Sequence, residues 1–316
     1  MVLRGLKKHI ATGQERGGPE CIADLAAVVT VTDDGGSSGR LRREYKILPP
    51  GDIRNCMVAL SSDEPLMGRL FQYRFPTGRG LAGHSFGNLF VTALTNVTGD
   101  FPHAVRVSSN VLAIRGRIFP STTQNVTLEA ELEDGSIVAG ETNISRSHRR
   151  IQRVRLVPRR ARPLDEVLEA IERADLILVG PGSLYTSIIP NLLIEHVARA
   201  IGRSHAKRVY IANLMTQPGE TEHYSVFDHV QAIYEHTHPR LFDFIVVNRT
   251  PVSARLIRRY RAQGAEPVDP SIKKLRGMGL EVVAGNLLNQ SGVVRHDPAR
   301  LVRLLLRDIA FRESRR

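Results

Sequence analysis

Apolar residues along this 316-residue chain gather into short runs separated by helical periodicities. AAVVTV (26–31), ADLILVG (174–180), KRVYIAN (207–213), FDFIVVN (242–248) and LEVVAGN (280–286) do not alternate in polarity. Such runs predict strands covered on both faces, as in a parallel sheet. Between them, PLDEVLEAIERA (163–174), LLIEHVARAIGR (192–203) and VSARLIRRYRAQG (252–264) carry the helical spacing, and Gly264 closes the last as a helix-terminating glycine. Asp297 and Pro298 predict the N-cap and first turn of a C-terminal helix. Strands alternating with helices predict a single α/β domain over 1–316, doubly wound, with helices on both faces of a mostly parallel sheet.

The middle of the chain breaks this rhythm. From about 111 to 157 the pattern becomes RIFPST, NVTLEAELEDGSIVAGE and IQRVRLVP, with a hairpin signal at Asp134-Gly135. A small β-rich insertion between two halves of the domain is expected there. The stretch ATGQERGGPEC (11–21) is expected to be an exposed connection.

The predicted strand ends carry the polar residues. The first runs into Asp33-Asp34-Gly35-Gly36-Ser37-Ser38-Gly39, the second into Gly180-Pro181-Gly182-Ser183, the third ends on Asn213, and the fourth on Asn248. Open parallel sheets bind ligands outside the carboxyl ends of their strands. Gly35, Gly36 and Gly39 allow a nest of backbone N–H groups around an anion, and Ser37 and Ser38 can donate hydroxyl hydrogen bonds or cap the next helix. Asp33 and Asp34 suit a divalent cation or ligand hydroxyls rather than a phosphate. PPGDIRN supplies Asp52, Arg54 and Asn55 after a rigid turn; GLAGHSFGN places His84, Ser85 and Asn88 at the start of an apolar helix, with Ser85 also suited to capping it.

Composition narrows the classes. Forty-two per cent hydrophobic and 24% charged residues describe a globular chain, and no run is long and apolar enough for a membrane span or shaped like a secretory signal, so a cytoplasmic protein is expected. Cys21 and Cys56 are the only cysteines, which excludes a disulfide framework. Lys and Arg number 44 against 32 Asp and Glu, a formal +12 suited to an anionic partner. The densest basic run, Arg146 to Arg162, contains no aromatic residue for base stacking, so it reads as a solvated surface and nucleic acid is disfavoured.

Six segments, VTVTDDGGSSGRLRRE, LPPGDIRN, GHSFGNL, GPGSLYTSIIPNLL, NLMTQPGET and VVRHD, resemble the YvcK/GlmR-type gluconeogenesis factors of bacteria. That family is a branch of the superfamily containing the CofD-like 2-phospho-L-lactate transferase. The resemblance implies a Rossmann-like sheet and a regulatory, non-catalytic protein that binds a nucleotide sugar, UDP-N-acetylglucosamine in particular. It further implies control of cell shape and cell-wall precursor supply during gluconeogenic growth, a protein partner in that supply, and a homo-oligomer. The pocket it implies is lined by Asp33, Asp34, Gly35, Gly36, Ser37, Asp52, Asn55, Ser85, Asn88, Gly180, Gly182, Ser183 and Asn213, with Tyr260 and Arg295 associated with the sugar nucleotide. Family members begin with a further strand and a GGGTGL-like glycine loop before the helix that here reads VLRGLKKHI, so the natural protein is expected to start upstream of Met1.

A transferase resembling the phospholactate enzyme is the competing expectation, with Mg²⁺ on Asp33 or Asp34 and no required cofactor otherwise. It would have to seat a flat deazaflavin. The chain has no Trp, leaving Phe71, Tyr73, Phe75 and Phe86 for that slot. The sequence singles out no catalytic residue.

Overall fold

The computed structural model describes residues 1–11, 21–62 and 64–311. The connection expected over 11–21 lies, apart from its two ends, outside the described residues.

In chain order the elements are α1 (Val2–Leu6), β1 (Ala26–Val29), α2 (Gly36–Tyr45), α3 (Gly51–Leu60), α4 (Glu64–Gln72), α5 (Phe86–Thr98), α6 (Phe101–Val111) and β2 (Arg117–Pro120). There follow β3 (Thr127–Leu132), β4 (Ile137–Ala139), α7 (Glu141–Arg146), β5 (Ile151–Val157), α8 (Asp165–Glu172) and β6 (Leu176–Val179). The chain continues through α9 (Ile189–Leu193), α10 (Val197–Arg203), β7 (Lys207–Ile211), α11 (Val226–His236), β8 (Phe244–Asn248), α12 (Ala254–Arg261) and α13 (Ile272–Gly277). It closes with β9 (Glu281–Gly285), β10 (Leu288–Asn289), β11 (Arg295–His296) and α14 (Pro298–Leu305).

The five predicted strands form, each shorter than its apolar run, and they divide between two parallel sheets. β6, β7, β8 and β9 pair in that order, all parallel. Successive residues of β7 and β8 face opposite ways. Val209, Ile211 and Val246 pack on Leu301, Leu304 and Leu305 of α14. Tyr210, Ile245 and Val247 join the larger core with Val230 and Ile233 of α11 and Leu275 of α13. Burial on both faces is why these strands read as unbroken apolar runs. β1 pairs in parallel with β2, and its Ala27 and Val29 pack in the larger core with Ile53 and Met57 of α3.

β2 corrects the expected insertion. Arg117–Pro120 belongs to the β1 sheet, so the antiparallel excursion is the three-stranded sheet β4-β3-β5, running from Thr127 to Val157. Gly135 turns its hairpin at φ 78°. The predicted helix over 192–203 also divides, because Ile194 is extended and His196 is left-handed (φ 69°). Asp297 caps α14 as predicted, accepting from Arg300 N at 2.9 Å with Pro298 in the first turn. On the basic run, Arg155 pairs with Glu129 at 2.8 Å and Arg149 with Asp134, while Arg153 stands opposite Glu131. Arg149 and Asp134 are exposed, whereas Arg153, Arg155 and Arg159 line a cavity of about 490 Å³ with Glu131 and Leu193, so the basic run is only in part a solvated face. No helix among the described residues is long and apolar enough to cross a membrane.

Candidate functional site: an acidic rim beside a cavity

The loop after β1 is gripped from three directions. Asp33 Oδ1 accepts from Gly35 N at 2.8 Å, turning the chain into α2. From α3, Gly51 lies so close that a methyl group there would sit 2.5 Å from both Asp33 Oδ2 and Ser38 Oγ. Only a residue without a side chain fits that contact. From α5, Asn88 Nδ2 donates to Ser38 Oγ at 3.2 Å, and from the loop just before that helix His84 Nδ1 lies 2.9 Å from Ser37 Oγ. Burial, then Arg40, holds the His84 imidazole below its ordinary pKa. Neutral, it can accept the Ser37 proton. Ser85 is the N-cap of α5 and accepts from Asn88 N at 3.3 Å, so its hydroxyl has a helix-capping role. Asn55 Oδ1 accepts from Arg54 Nη2 at 2.9 Å on the exposed side of α3.

The third grip comes from the insertion. Thr142 donates to Asp34 Oδ1 from both its backbone N (2.9 Å) and its hydroxyl (2.8 Å). Gly140, at φ 91°, turns its bare Cα toward Asp34 Oδ2, where a methyl would come within 2.1 Å. Glu141 stands between these two clamps, and its Oε2 is buried with no hydrogen-bond partner. Burial, then the charges of Asp33, Asp52, Glu220 and Asp34, push its carboxyl up to about 8. Asp52 is shifted upward for the same reasons, burial first and Asp33 second.

The loops after β6 and β7 complete the rim. Ser183 Oγ lies 2.6 and 2.7 Å from the two oxygens of Glu220, and Thr186 donates to Oε1 at 3.3 Å. Gln217 Nε2 donates to Ser183 Oγ at 3.1 Å. Asn213 binds Gly182 at both ends, accepting from its N at 3.2 Å and donating to its O at 2.8 Å. Gly180 ends β6 at φ 86°, where a side chain would strike Ile211 O. Glu220 is only 6% exposed, and burial raises its pKa against the pull of these hydroxyls. Ser145 of α7 donates to Glu220 Oε1 at 3.4 Å, and Gly219 presses against Ser145 O. Polar contacts therefore link Asn213 to Ser145 of α7, and the same helix carries the Thr142 that holds Asp34.

Beyond Asn213 the path opens on a cavity of about 300 Å³ at the carboxyl ends of β7 and β8, lined by Asn213, Leu214, Asn248, Thr250, Val252 and Pro267 among others. Tyr260, like Leu214, packs on the apolar cluster of Val252, Leu256, Leu288 and Val294 beside it. Its hydroxyl accepts from Val294 N at 3.1 Å, which brings Tyr260 next to the exposed Arg295 of β11. The sequence-derived residues thus fall into two neighbouring groups, the acidic rim and the cavity edge, bridged by Gly182, Ser183 and Asn213.

Glu141, Thr142, Gln217 and Glu220 escaped the sequence reading. A signal existed: Gly140-Glu141-Thr142 and Gly219-Glu220-Thr221 are the same tripeptide, each with glycine at positive φ (91° and 83°). Among the described residues no group of three or more His, Cys, Asp or Glu side chains is arranged to hold a metal ion.

Comparison with known proteins gives the family. Residues 1–288 match the family model described as 2-phospho-L-lactate transferase CofD. The chain is 50% identical over 284 residues to a Bacillus subtilis protein called gluconeogenesis factor, covering 90% of each. It is 46% identical over 283 residues to the gluconeogenesis factor of Halalkalibacterium halodurans, covering 89% of this chain and 88% of that one. The crystal structure of a UPF0052 family member from Bacillus halodurans superimposes with a TM-score of 0.89 at 44% identity, over 96% of this chain and 94% of that one.

Proposed function

Because the chain belongs to the CofD family, in the branch whose relatives are called gluconeogenesis factors, we propose that it is a cytoplasmic regulator that binds a nucleotide sugar without turning it over. One observation carries this reading: polar contacts run from the cavity edge at Asn213 through Gln217, Ser183 and Glu220 to Ser145 of α7, and the same short helix holds Asp34 through Thr142. The cavity is mostly apolar with Asn213, Asn248 and Thr250 at its edge, a composition suited to a flat base held by a few polar groups. Tyr260 packs on Val252 of its lining, and the exposed Arg295 follows Val294, whose N–H the Tyr260 hydroxyl accepts; on this reading the arginine meets a phosphate. A UDP sugar, UDP-N-acetylglucosamine first, fits this order of groups, and the regulatory role extends to cell shape and cell-wall precursor supply through a protein partner. The working form is a homo-oligomer.

Thermal denaturation with nucleotides is the test. A ligand that binds only the folded state raises the melting temperature, and UDP-N-acetylglucosamine is expected to do so more than GDP. No shift with any UDP sugar defeats the proposal.

The transferase reading draws on the family description itself. Against a deazaflavin slot, Phe71 is buried in edge contacts with Phe86 and Phe90, centroids 5.8 and 5.3 Å apart. Asp33 and Asp34 each already accept from the protein through Oδ1, leaving Mg²⁺ to be held largely by ligand phosphates, its usual mode. Product formed from GDP-activated phospholactate and a deazaflavin would replace the regulatory reading.

A further inference from the structure

We propose that Glu141, with Asn88, receives the hydroxyl groups of the ligand's sugar, so that the acidic rim is the subsite that distinguishes a nucleotide sugar from the bare nucleotide. The inference rests on the reading of the site as one for a nucleotide sugar.

Two buried acceptors around Asp33 have no partner among the described residues: Glu141 Oε2 and Asn88 Oδ1. Asn88 is 3% exposed, and its amide points at Ser38 Oγ. Ser38 Oγ and Asp33 Oδ2 both face the bare Cα of Gly51. On the other side of the same loop, Asp33 Oδ1 and Thr142 Oγ1 both face the Cα of Gly35, and Glu141 precedes Thr142. The two orphan acceptors therefore flank one loop, and Gly35 and Gly51 keep side-chain bulk from it. Buried polar atoms are almost always satisfied, so a pair of orphans at one place marks where an absent group donates.

The donor's chemistry follows from the surroundings. Asp33, Asp34, Asp52 and Glu220 all lie close enough to act on Glu141, while Arg42 and Arg54 face Asp33 as well, so acids outnumber bases here and an uncharged part of the ligand suits the rim better than a phosphate. No metal-holding group exists among the described residues. Hydroxyl groups both donate and accept, so an uncharged polyol satisfies the Asn88 oxygen and the Glu141 carboxyl in either protonation state without adding charge, which is the chemistry of a sugar ring.

Calorimetric titration of wild type, Glu141→Ala and Asn88→Ser with UDP-N-acetylglucosamine and with UDP tests this. Glu141→Ala removes a carboxyl with an unpartnered oxygen, so it is expected to fold; Asn88→Ser is the second variant, and melting curves check both. The expected result is a loss of roughly ten- to hundredfold in affinity for the sugar nucleotide with UDP affinity unchanged. Wild-type binding with no loss in either folded variant overturns the assignment and leaves the nucleotide-sugar reading standing. Equal losses for UDP and UDP-N-acetylglucosamine that appear only with Mg²⁺ overturn it in favour of a cation. Wild type that binds neither nucleotide defeats both readings.

Discussion

Thr142 holds Asp34 with both its backbone N–H and its hydroxyl, at 2.9 and 2.8 Å, across 108 residues of chain. That contact ties the antiparallel insertion to the loop leaving β1, and it makes the insertion a wall of the site.

Thr142→Val keeps the shape and the backbone bond but removes the hydroxyl donor to a carboxylate. A loss of about 1–3 kcal/mol is expected, read as a lower urea midpoint with an unchanged slope. Gly140→Ala should cost more, because its methyl would collide with Asp34 Oδ2 at a φ of 91°. An unchanged midpoint in both variants would show that the insertion does not clamp the loop.

Glu141 imposes a pH dependence with a definite sign. Its carboxyl titrates near 4.5 in the unfolded chain and about 8 in the folded protein, so the unfolded state loses the proton first. Stability contributed by the protonated carboxyl is full below about 4.5 and declines as pH rises to about 8. Glu141→Gln cannot ionise, so its melting temperature should exceed that of wild type above pH 8 and converge with it near pH 5. Parallel curves from pH 5 to 9 would contradict the burial and crowding of this group.

His236 works in the opposite direction. Nδ1 lies 2.7 Å from Ala232 O, and Nε2 accepts from Val154 N of β5 at 2.9 Å, which requires the neutral ring. Burial lowers its pKa below the ordinary 6.5, so its contribution is present above 6.5 and fades as pH falls through the folded value. His236→Ala should lower stability by about 1–3 kcal/mol at pH 7.5 and flatten part of the acid-side loss of melting temperature. His296, which burial holds at about 4, keeps the remaining slope in that variant.

Asn213→Ala removes both contacts to Gly182 while leaving the β7 core intact. Affinity for UDP-N-acetylglucosamine should fall about tenfold or more, with UDP affected alike, since Asn213 lies at the cavity and not at the acidic rim. A loss confined to the sugar nucleotide would reverse the assignment of the two ends.

The local features were legible because their causes are local. β6 through β9 announced themselves as apolar runs, Asp297 and Pro298 as a helix start, and Asp134-Gly135 as a hairpin. β2 was hidden: RIFP is short and ends in proline, and it becomes a strand only by pairing with β1, some ninety residues earlier in the chain. The helix over 192–203 kept its apolar spacing through the turn at Ile194 and His196, so periodicity could not reveal the break.

The sequence by itself determined the alternation of strands and helices, the side of the sheet on which polar loops collect, and the residue types those loops offer. Only the tertiary structure decided that the insertion's α7 meets both Asp34, through Thr142, and Glu220, through Ser145, placing four carboxyl groups within reach of Glu141. Hydrophobic period and turn chemistry act over a few residues and can be read along the chain. The electrostatic character of a buried carboxyl depends on which distant charges and which bare backbone the fold brings beside it, and that is a property of distance in space.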